Sequence, residues 1–232
     1  MKNHLKRIAS PRAWVIARKQ STFTLRPHPG AHPQGMALPL GVILRDILHV
    51  ASTMGEVRKL LNANEVLVDG RRRKDVRSQV GLFDVLSIPS LNLFYRITVD
   101  FKGRLVLATI VPTEGTHKVC KVLGKSVAKG GAIMLRLHDG RSVPAGTHAA
   151  TLHVGDSVVI SIPDQKIKEL IHLKEGVHIF LAQGKHAGSL GTVHSLKEKQ
   201  AVYRDHEGNE VRTSKEYLFV VGTTKPVMKV MA

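Results

Sequence analysis

The chain has 232 residues, with 35 Lys or Arg against 18 Asp or Glu, which gives a formal net charge of +17 at pH 7. A single cysteine, Cys120, excludes an internal disulfide, and the most apolar stretch, 36–51, is too short and too charged to span a bilayer. With 43% hydrophobic residues the composition is that of a folded protein, and its charge predicts a polyanionic partner. We therefore expect a soluble cytoplasmic protein with no membrane partner.

Residues 1–35 form the most basic segment. They hold seven Lys or Arg and no acidic residue, and six Pro or Gly interrupt any regular apolar period. Because such a segment buries too little surface to fold alone, we predict an extended basic arm that becomes ordered against phosphates. A solvated tail is the alternative, whereas a membrane-bound amphipathic helix is disfavoured by the Pro and Gly residues. The candidate contact residues of the arm are Lys2, His4, Lys6, Arg7, Arg12, Trp14, Arg18, Lys19 and Arg26.

Residues 36–90 predict a compact helical unit. The first helix has one apolar face, made of Leu40, Ile43, Leu44, Ile47 and Leu48. Thr53 and Glu56 have the spacing of a capping box, which predicts the start of a second helix. A short strand at 66–68, a hairpin turn at Asp69-Gly70 and a closing strand at 80–88 follow.

A run of four cations follows the predicted hairpin turn directly, at positions 71–74. Consecutive cations repel each other unless an anion is near, so phosphate contact is favoured over a solvated hairpin tip. The candidate phosphate contacts of this unit are Arg45, Arg58, Lys59, Arg71, Arg72, Arg73 and Lys74.

Two β regions complete the chain. Within 91–170, alternating segments around Lys102-Gly103 and Asp139-Gly140 predict hairpins of a small antiparallel barrel. Within 171–232, a strand at 177–181, a glycine-rich turn and the strands that follow it predict a five-stranded SH3-like barrel. The turn either approaches RNA or only satisfies backbone geometry. Its candidate contact residues are Gly184, Lys185, His186 and Gly188.

No catalytic or metal-binding constellation stands out. Gly124-Lys125-Ser126 ends like a phosphate-binding loop, but Val119 occupies the position where that motif needs its first glycine. His117 and Cys120 are spaced like metal ligands, yet no second pair accompanies them. We therefore expect no enzymatic activity, no cofactor, no metal site and no small-molecule substrate.

Several stretches resemble known RNA-binding modules. The helix at 40–46, E-V-R-K-L-L at 56–61 and V-L-V-D-G at 66–70 resemble the alpha-L motif, which ribosomal proteins, pseudouridine synthases and a tRNA synthetase share. Residues 173–193 resemble the KOW motif of ribosomal proteins and transcription elongation factors. Together with H-L-K-R-I-A-S-P-R-A-W at 4–14 and V-D-G-R-R-R-K-D at 68–75, they make the whole chain similar to the archaeal and eukaryotic small-subunit ribosomal protein four family.

This resemblance implies a multi-module α+β architecture. Its parts would be an extended basic arm (1–35), an alpha-L RNA-binding unit (36–90), a small antiparallel β-barrel domain (91–170) and a KOW SH3-like barrel (171–232). The implied function is structural: the protein would bind small-subunit ribosomal RNA through phosphate and shape contacts, next to other small-subunit proteins, and support assembly and translation in the cytoplasm.

Two other functions use the same modules. An RNA-modifying enzyme of the pseudouridine synthase type would need a large catalytic domain with a positioned Asp, which residues 91–232 do not offer. A transcription elongation factor built on the KOW unit would need a polymerase-binding domain instead of the basic arm. Both alternatives are disfavoured by these missing parts.

Overall fold

The computed structural model describes residues 4–63, 65–223 and 225–230, so the candidate contact Lys2 lies outside the described residues. The chain divides into two compact units. One comprises Met1–Thr98 and Arg104–Gly115, and the other Val99–Gly103 and Thr116–Ala232. None of the helices in the described residues is long and apolar enough to cross a membrane.

In its described residues, the first unit contains two helices and nine strands. The strands form a five-stranded sheet in the order β5-β4-β7-β8-β9 and two small pairs, β1-β2 and β3-β6. Short 3-10 turns lie at Arg7–Ala9, Gln34–Met36 and Pro89–Leu91. The elements are β1 (Leu5–Lys6), β2 (Phe23–Thr24), β3 (Ala37–Pro39), α1 (Leu40–Val42, continuing as a π-helical turn over Ile43–Ile47), α2 (Met54–Ala63), β4 (Leu67–Val68), β5 (Arg71–Arg72), β6 (Gln79–Gly81), β7 (Val85–Ile88), β8 (Leu93–Val99) and β9 (Leu105–Thr109).

The basic arm is folded, which corrects the prediction of an extended segment. Trp14 is only 2% exposed, and its indole nitrogen donates to the carbonyl of Gln34 at 3.3 Å. Arg7 is 5% exposed, and its guanidinium donates to the carbonyl of Ala17 at 2.7 Å. The arm folds without a regular period because its own cations satisfy its backbone carbonyls, a non-local pairing that composition does not reveal.

His32 joins the end of the arm to Asp84 and to strand β6 of the same unit. Its Nε2 lies 3.0 Å and 3.1 Å from the two carboxylate oxygens of the buried Asp84. The imidazole occupies the space beside Gly81, where a Cβ would come within 2.3 Å of the ring. The Gly81 amide donates to the same carboxylate at 2.8 Å. The buried Asp84 thus holds both the end of the arm and strand β6, against which the arm packs.

The two predicted helices are confirmed. The apolar face of the first helix is present, but its second half widens into a π-helical turn, in which the Leu48 amide donates to the Ile43 carbonyl. The predicted capping box begins α2: the Glu56 amide donates to Thr53 Oγ1 at 3.2 Å, and the Thr53 amide donates to the Glu56 carboxylate at 3.2 Å. The Ser52 amide also donates to the Glu56 carboxylate, at 2.8 Å, and this bond, followed by the one from the Thr53 amide, lowers the pKa of Glu56.

The predicted hairpin turn is also confirmed. Asp69 and Gly70 have φ angles of 49° and 71°, as a type I′ turn requires. Asp69 is buried, and its carboxylate accepts the amide of Val85 at 2.8 Å, which ties the turn to β7. The single strand predicted at 80–88 is instead broken into β6 and β7, because Phe83 adopts a φ of 64° and its amide donates to the carbonyl of Ile97.

The part of the second unit that the structure describes contains ten strands in two antiparallel sheets, in the orders β12-β11-β10-β13-β14 and β18-β17-β16-β15-β19. Short 3-10 turns lie at Gly146–His148 and Lys215–Tyr217. The strands are β10 (His117–Val127), β11 (Ile133–Leu137), β12 (Ser142–Pro144), β13 (Ser157–Ser161), β14 (Ile167–Ile171), β15 (His178–Leu181), β16 (Leu190–Leu196), β17 (Gln200–Asp205), β18 (Glu210–Ser214) and β19 (Leu218–Gly222).

The predicted hairpins at Lys102-Gly103 and Asp139-Gly140 both form. The first of them, however, does not belong to the sheet of the central region. Its strands β8 and β9 continue the five-stranded sheet of the first unit, in which Leu86 of β7 pairs with Tyr95 of β8. The structure thus differs from the predicted boundary at residue 90, because a short 3-10 turn returns the chain directly to the same sheet.

A buried ion pair lies inside the second unit. The Lys118 ammonium on β10 is 2.9 Å from the Asp139 carboxylate, and the exposed fractions of the two side chains are 0% and 1%. Arg141 Nε lies 3.3 Å from the same carboxylate. Burial alone would raise the pKa of Asp139, but the charges of Lys118, His138 and Arg141 lower it to about 2.

We expect Asp139→Asn to reduce the free energy of unfolding by about 3–5 kcal/mol, because it leaves the Lys118 charge buried and unpaired. Guanidinium unfolding followed by circular dichroism measures the loss. The double variant Lys118→Met/Asp139→Leu removes both charges and should recover part of it. A loss below about 1 kcal/mol in the single variant would contradict this account.

The same pair predicts an acid-sensitive stability. The pKa of Asp139 is about 2 in the folded state against an ordinary value of 3.8, so the unfolded chain takes up this proton first as the pH falls. About 2 kcal/mol of stability should therefore be present above pH 4 and be lost between pH 4 and pH 2. Unfolding at pH 5 and pH 2.5 measures it, and the double variant should lose less over the same interval.

Candidate nucleic-acid interface

The β4–β5 hairpin and helix α2 together present a cluster of cations. Arg71, Arg72, Arg73 and Lys74 are all exposed. The Arg72 guanidinium donates to the Asn62 carbonyl at 3.0 Å, which joins the hairpin to the C-terminal turn of α2. Two further exposed cations lie on that helix. We call the combined set the hairpin surface, and its members are Arg58, Lys59, Arg71, Arg72, Arg73 and Lys74.

Arg45, predicted as part of the same surface, is held differently. Its guanidinium makes two bonds to the adjacent Asp46 carboxylate, at 3.0 Å and 2.8 Å, and its side chain is 21% exposed. Arg7 lies 3.7 Å from the same carboxylate. The charge of Arg45 is therefore largely neutralised within the protein, unlike that of the hairpin cations.

The arm contributes both internal and surface cations. Arg7 and Trp14 are buried, so the structure assigns them to the folding of the arm and corrects their prediction as surface contacts. Arg18 is half-buried, and its guanidinium donates to the carbonyls of Ser10 and Pro11 at 3.0 Å and 2.8 Å. Arg26 is half-buried. The exposed members are His4, Lys6, Arg12 and Lys19.

The glycine-rich turn before β16 packs against its own unit. A Cβ on Gly188 would lie 2.4 Å from the Asp100 carbonyl oxygen, and Gly188 has a φ of 85°. A Cβ on Gly184 would lie 3.2 Å from the Tyr217 ring. Lys185 and His186, between the two glycines, are exposed. The glycines thus serve close packing within the protein, while the two side chains between them remain accessible.

The segment against which this turn packs, the β8–β9 turn, was not predicted as its partner from the sequence. The β8–β9 turn, with Phe101 and Lys102 at its tip, was predicted only as a hairpin. Both side chains are exposed, and Phe101 is 69% exposed. An aromatic residue beside a lysine at a turn was the available signal, but only the tertiary structure places it next to the 184–188 loop.

A cluster of side chains within the second unit has the composition of a metal site. Ligand atoms of Cys120, His138 and Asp139 lie within 4.8 Å of one another. The Asp139 carboxylate already pairs with Lys118 and Arg141, whose positive charges oppose a metal cation. The cluster therefore fits a buried ion pair and not a metal centre.

A second buried lysine has a comparable structural role. Lys121 Nζ donates to the carbonyls of Glu216 and Leu218 at 2.6 Å and 2.8 Å. Burial lowers the pKa of Lys121 to about 8, and the nearby Glu216 partly opposes this shift. Its ammonium is used inside the second unit, so Lys121 does not belong with the exposed cations.

Comparison with known proteins identifies the class. The model of the RS4NT domain matches residues 1–34, and the model of ribosomal family S4e matches residues 91–167. Small ribosomal subunit protein eS4 of Methanocaldococcus jannaschii is 42% identical, over 98% of this chain and 97% of its own. The protein of that name from Methanocella arvoryzae is 38% identical over the same shares.

A solved structure agrees with these matches. The crystal structure of the 30S ribosomal protein S4e from Thermoplasma acidophilum has a TM-score of 0.68 and 30% identity, and the match covers 82% of this chain and 95% of that chain. The protein is thus a structural ribosomal protein, not an enzyme, which rejects the RNA-modifying alternative. The chain belongs to the S4e family of the small ribosomal subunit, and its place is the ribosome in the cytoplasm.

We expect Gly188→Ala to destabilise the protein more than Gly208→Ala, as measured by thermal or denaturant unfolding. Both glycines have φ above 80°, but nothing lies within 4 Å of a Cβ on Gly208. Gly208→Ala, the control, should therefore lower the free energy of unfolding by about 1 kcal/mol through backbone strain alone. Gly188→Ala should cost about 1–3 kcal/mol more, because its Cβ meets the Asp100 carbonyl. Equal losses would contradict the close packing of the two turns.

Proposed function

We propose that this protein binds small-subunit ribosomal RNA mainly through phosphate contacts, with the hairpin surface as its principal site. The observation that carries the proposal is the exposure of four consecutive cations on a hairpin whose turn is anchored by the buried Asp69. A fixed array of cations loses little conformational freedom when it meets phosphates. This arrangement supports the interpretation of residues 36–90 as an alpha-L unit.

The arm adds a second set of phosphate contacts. Because Arg7, Trp14 and His32 hold it in place, the arm presents His4, Lys6, Arg12 and Lys19 from a folded segment. In this proposal it docks as a preformed surface together with the hairpin. Lys185 and His186, at the tip of the proposed KOW unit, contact a further part of the RNA, and neighbouring small-subunit proteins complete the surroundings.

The composition fits recognition of RNA by its shape and its phosphates better than recognition of its bases at many positions. Of ten aromatic residues, only Phe23 and Phe101 are exposed in the described residues, at 52% and 69%. Proteins that read single strands stack successive bases on aromatic side chains. An interface made mostly of Arg and Lys instead holds folded RNA by its backbone.

The test is the triple variant Arg71→Ser/Arg73→Ser/Lys74→Ser. Each phosphate contact contributes about 0.7–0.9 to the log–log salt slope of binding, so the slope should fall by roughly 2–3. Filter binding of the full chain to small-subunit ribosomal RNA, over a series of salt concentrations, measures it. Arg72 is retained because its guanidinium also joins the hairpin to α2.

The matched control removes the same charge elsewhere, as Lys129→Ser/Lys166→Ser/Lys168→Ser, where all three lysines are exposed. It should leave the slope nearly unchanged. If the two triple variants lowered the slope equally, only general electrostatic attraction would remain, and the hairpin surface would not be the site.

A further inference from the structure

The β8–β9 turn displays an aromatic ring where a polar side chain would be expected. Phe101 is 69% exposed, the largest exposed fraction among the aromatic residues of the described chain. The apolar residues that flank the turn do not share this exposure: Val99 is 5% exposed and Leu105 is fully buried. The hairpin thus buries its strands and leaves the ring at its tip in solvent, at the unfavourable cost of exposed apolar area.

The turn that carries this ring is rigid. The Gly103 amide donates to the Asp100 carbonyl at 2.9 Å, and the Lys102 amide donates to the Asp100 carboxylate at 2.9 Å. Gly103 supplies the positive φ, 71°, that closes the turn. Both hydrogen bonds fix the backbone under Phe101, so the ring is presented from a defined position.

The glycine-rich loop supports the turn from the side. Gly188 packs against the Asp100 carbonyl, and a Cβ on Gly103 would lie 3.9 Å from Ala187. The loop is itself closed by bonds from the Ser189 amide and hydroxyl to the His186 carbonyl. Lys185 and His186 therefore project from a loop that is in contact with the aromatic turn.

Charge distinguishes this patch from an ordinary apolar surface. Lys102 lies at the tip of the aromatic turn, and Lys185 and His186 lie on the adjoining loop, all three exposed. The acidic residue of the two turns, Asp100, uses its carboxylate to accept the Lys102 amide. An exposed aromatic side chain with one lysine on its own turn and another on the adjoining loop suits a ligand that is flat, apolar on its face and attached to phosphate.

We propose that Phe101 is a stacking platform for one unpaired base of the RNA, with Lys102 and Lys185 holding the flanking phosphates. The inference rests on the proposed RNA-binding function and adds a specific contact to it. Bases stack on aromatic side chains irrespective of their sequence, so the site selects an unstacked nucleotide and not a particular base. A bulged or looped nucleotide of otherwise folded RNA meets this requirement.

The experiment compares two RNA hairpins, one with a single bulged uridine in its stem and one fully paired, bound to the full chain. Wild-type protein should prefer the bulged hairpin by about 5- to 100-fold, the range that one base–aromatic stack supplies. Phe101→Leu should abolish the preference, whereas Phe101→Tyr should retain it. Lys102→Ala/Lys185→Ala should weaken binding to both hairpins and lower the salt slope.

Val154→Ala is the matched control, because it also removes exposed apolar area from the second unit, where Val154 is 60% exposed. It should leave the preference intact. Equal affinity of wild-type protein for the two hairpins, or a preference that survives in Phe101→Leu, would overturn the platform while leaving RNA binding in place. Failure of wild-type protein to bind either hairpin or ribosomal RNA would instead reject the proposed function.

A second measurement uses intact small subunits. Short-wavelength ultraviolet cross-linking followed by peptide mapping should join Phe101 to a nucleotide, and the cross-link should disappear in Phe101→Leu subunits. A cross-link from the 99–104 peptide to a protein would show that the ring serves a protein contact and would overturn the inference.

Discussion

Buried aspartates inside a strongly basic chain are the interaction on which this fold depends. Asp69, Asp84, Asp139 and Asp156 are each at most 4% exposed, and each carboxylate accepts at least one backbone amide at a chain reversal. Asp84 also binds His32, and Asp139 binds Lys118. When fixed hydrogen-bond donors of the protein take the place of water, a carboxylate can be buried without a large desolvation penalty. Such a carboxylate also holds separate segments together.

The burial of these aspartates explains where the positive charge of the protein is exposed. The chain has only 18 acidic residues against 35 Lys or Arg, so a carboxylate held in the interior by backbone amides is not available as a counterion to a surface cation. Internal cations, such as Arg7 and Arg18, are satisfied mainly by backbone carbonyls. Exposed cations of the arm and of the hairpin surface retain their full charge, which suits an array that meets phosphates.

Much of the local structure was predictable because it depends on neighbours in sequence. The capping box of α2 and the Asp69-Gly70 turn form from residues three or fewer positions apart, and both were confirmed. The broken strand at Phe83 and the folded arm could not be predicted in this way. The Phe83 amide donates to the Ile97 carbonyl, and the Trp14 indole nitrogen donates to the Gln34 carbonyl. Such pairings follow no period along the chain.

The sequence by itself determined the charge and the family, since these depend on composition and on short motifs. It also placed the cations of the hairpin, because a type I′ turn is encoded by two adjacent residues. Only the tertiary structure decided which side chains reach solvent. It buried Arg7 and Trp14, which were predicted as RNA contacts, and it placed Phe101 beside the loop that carries Lys185. Burial depends on contacts between distant segments, and no local pattern records them.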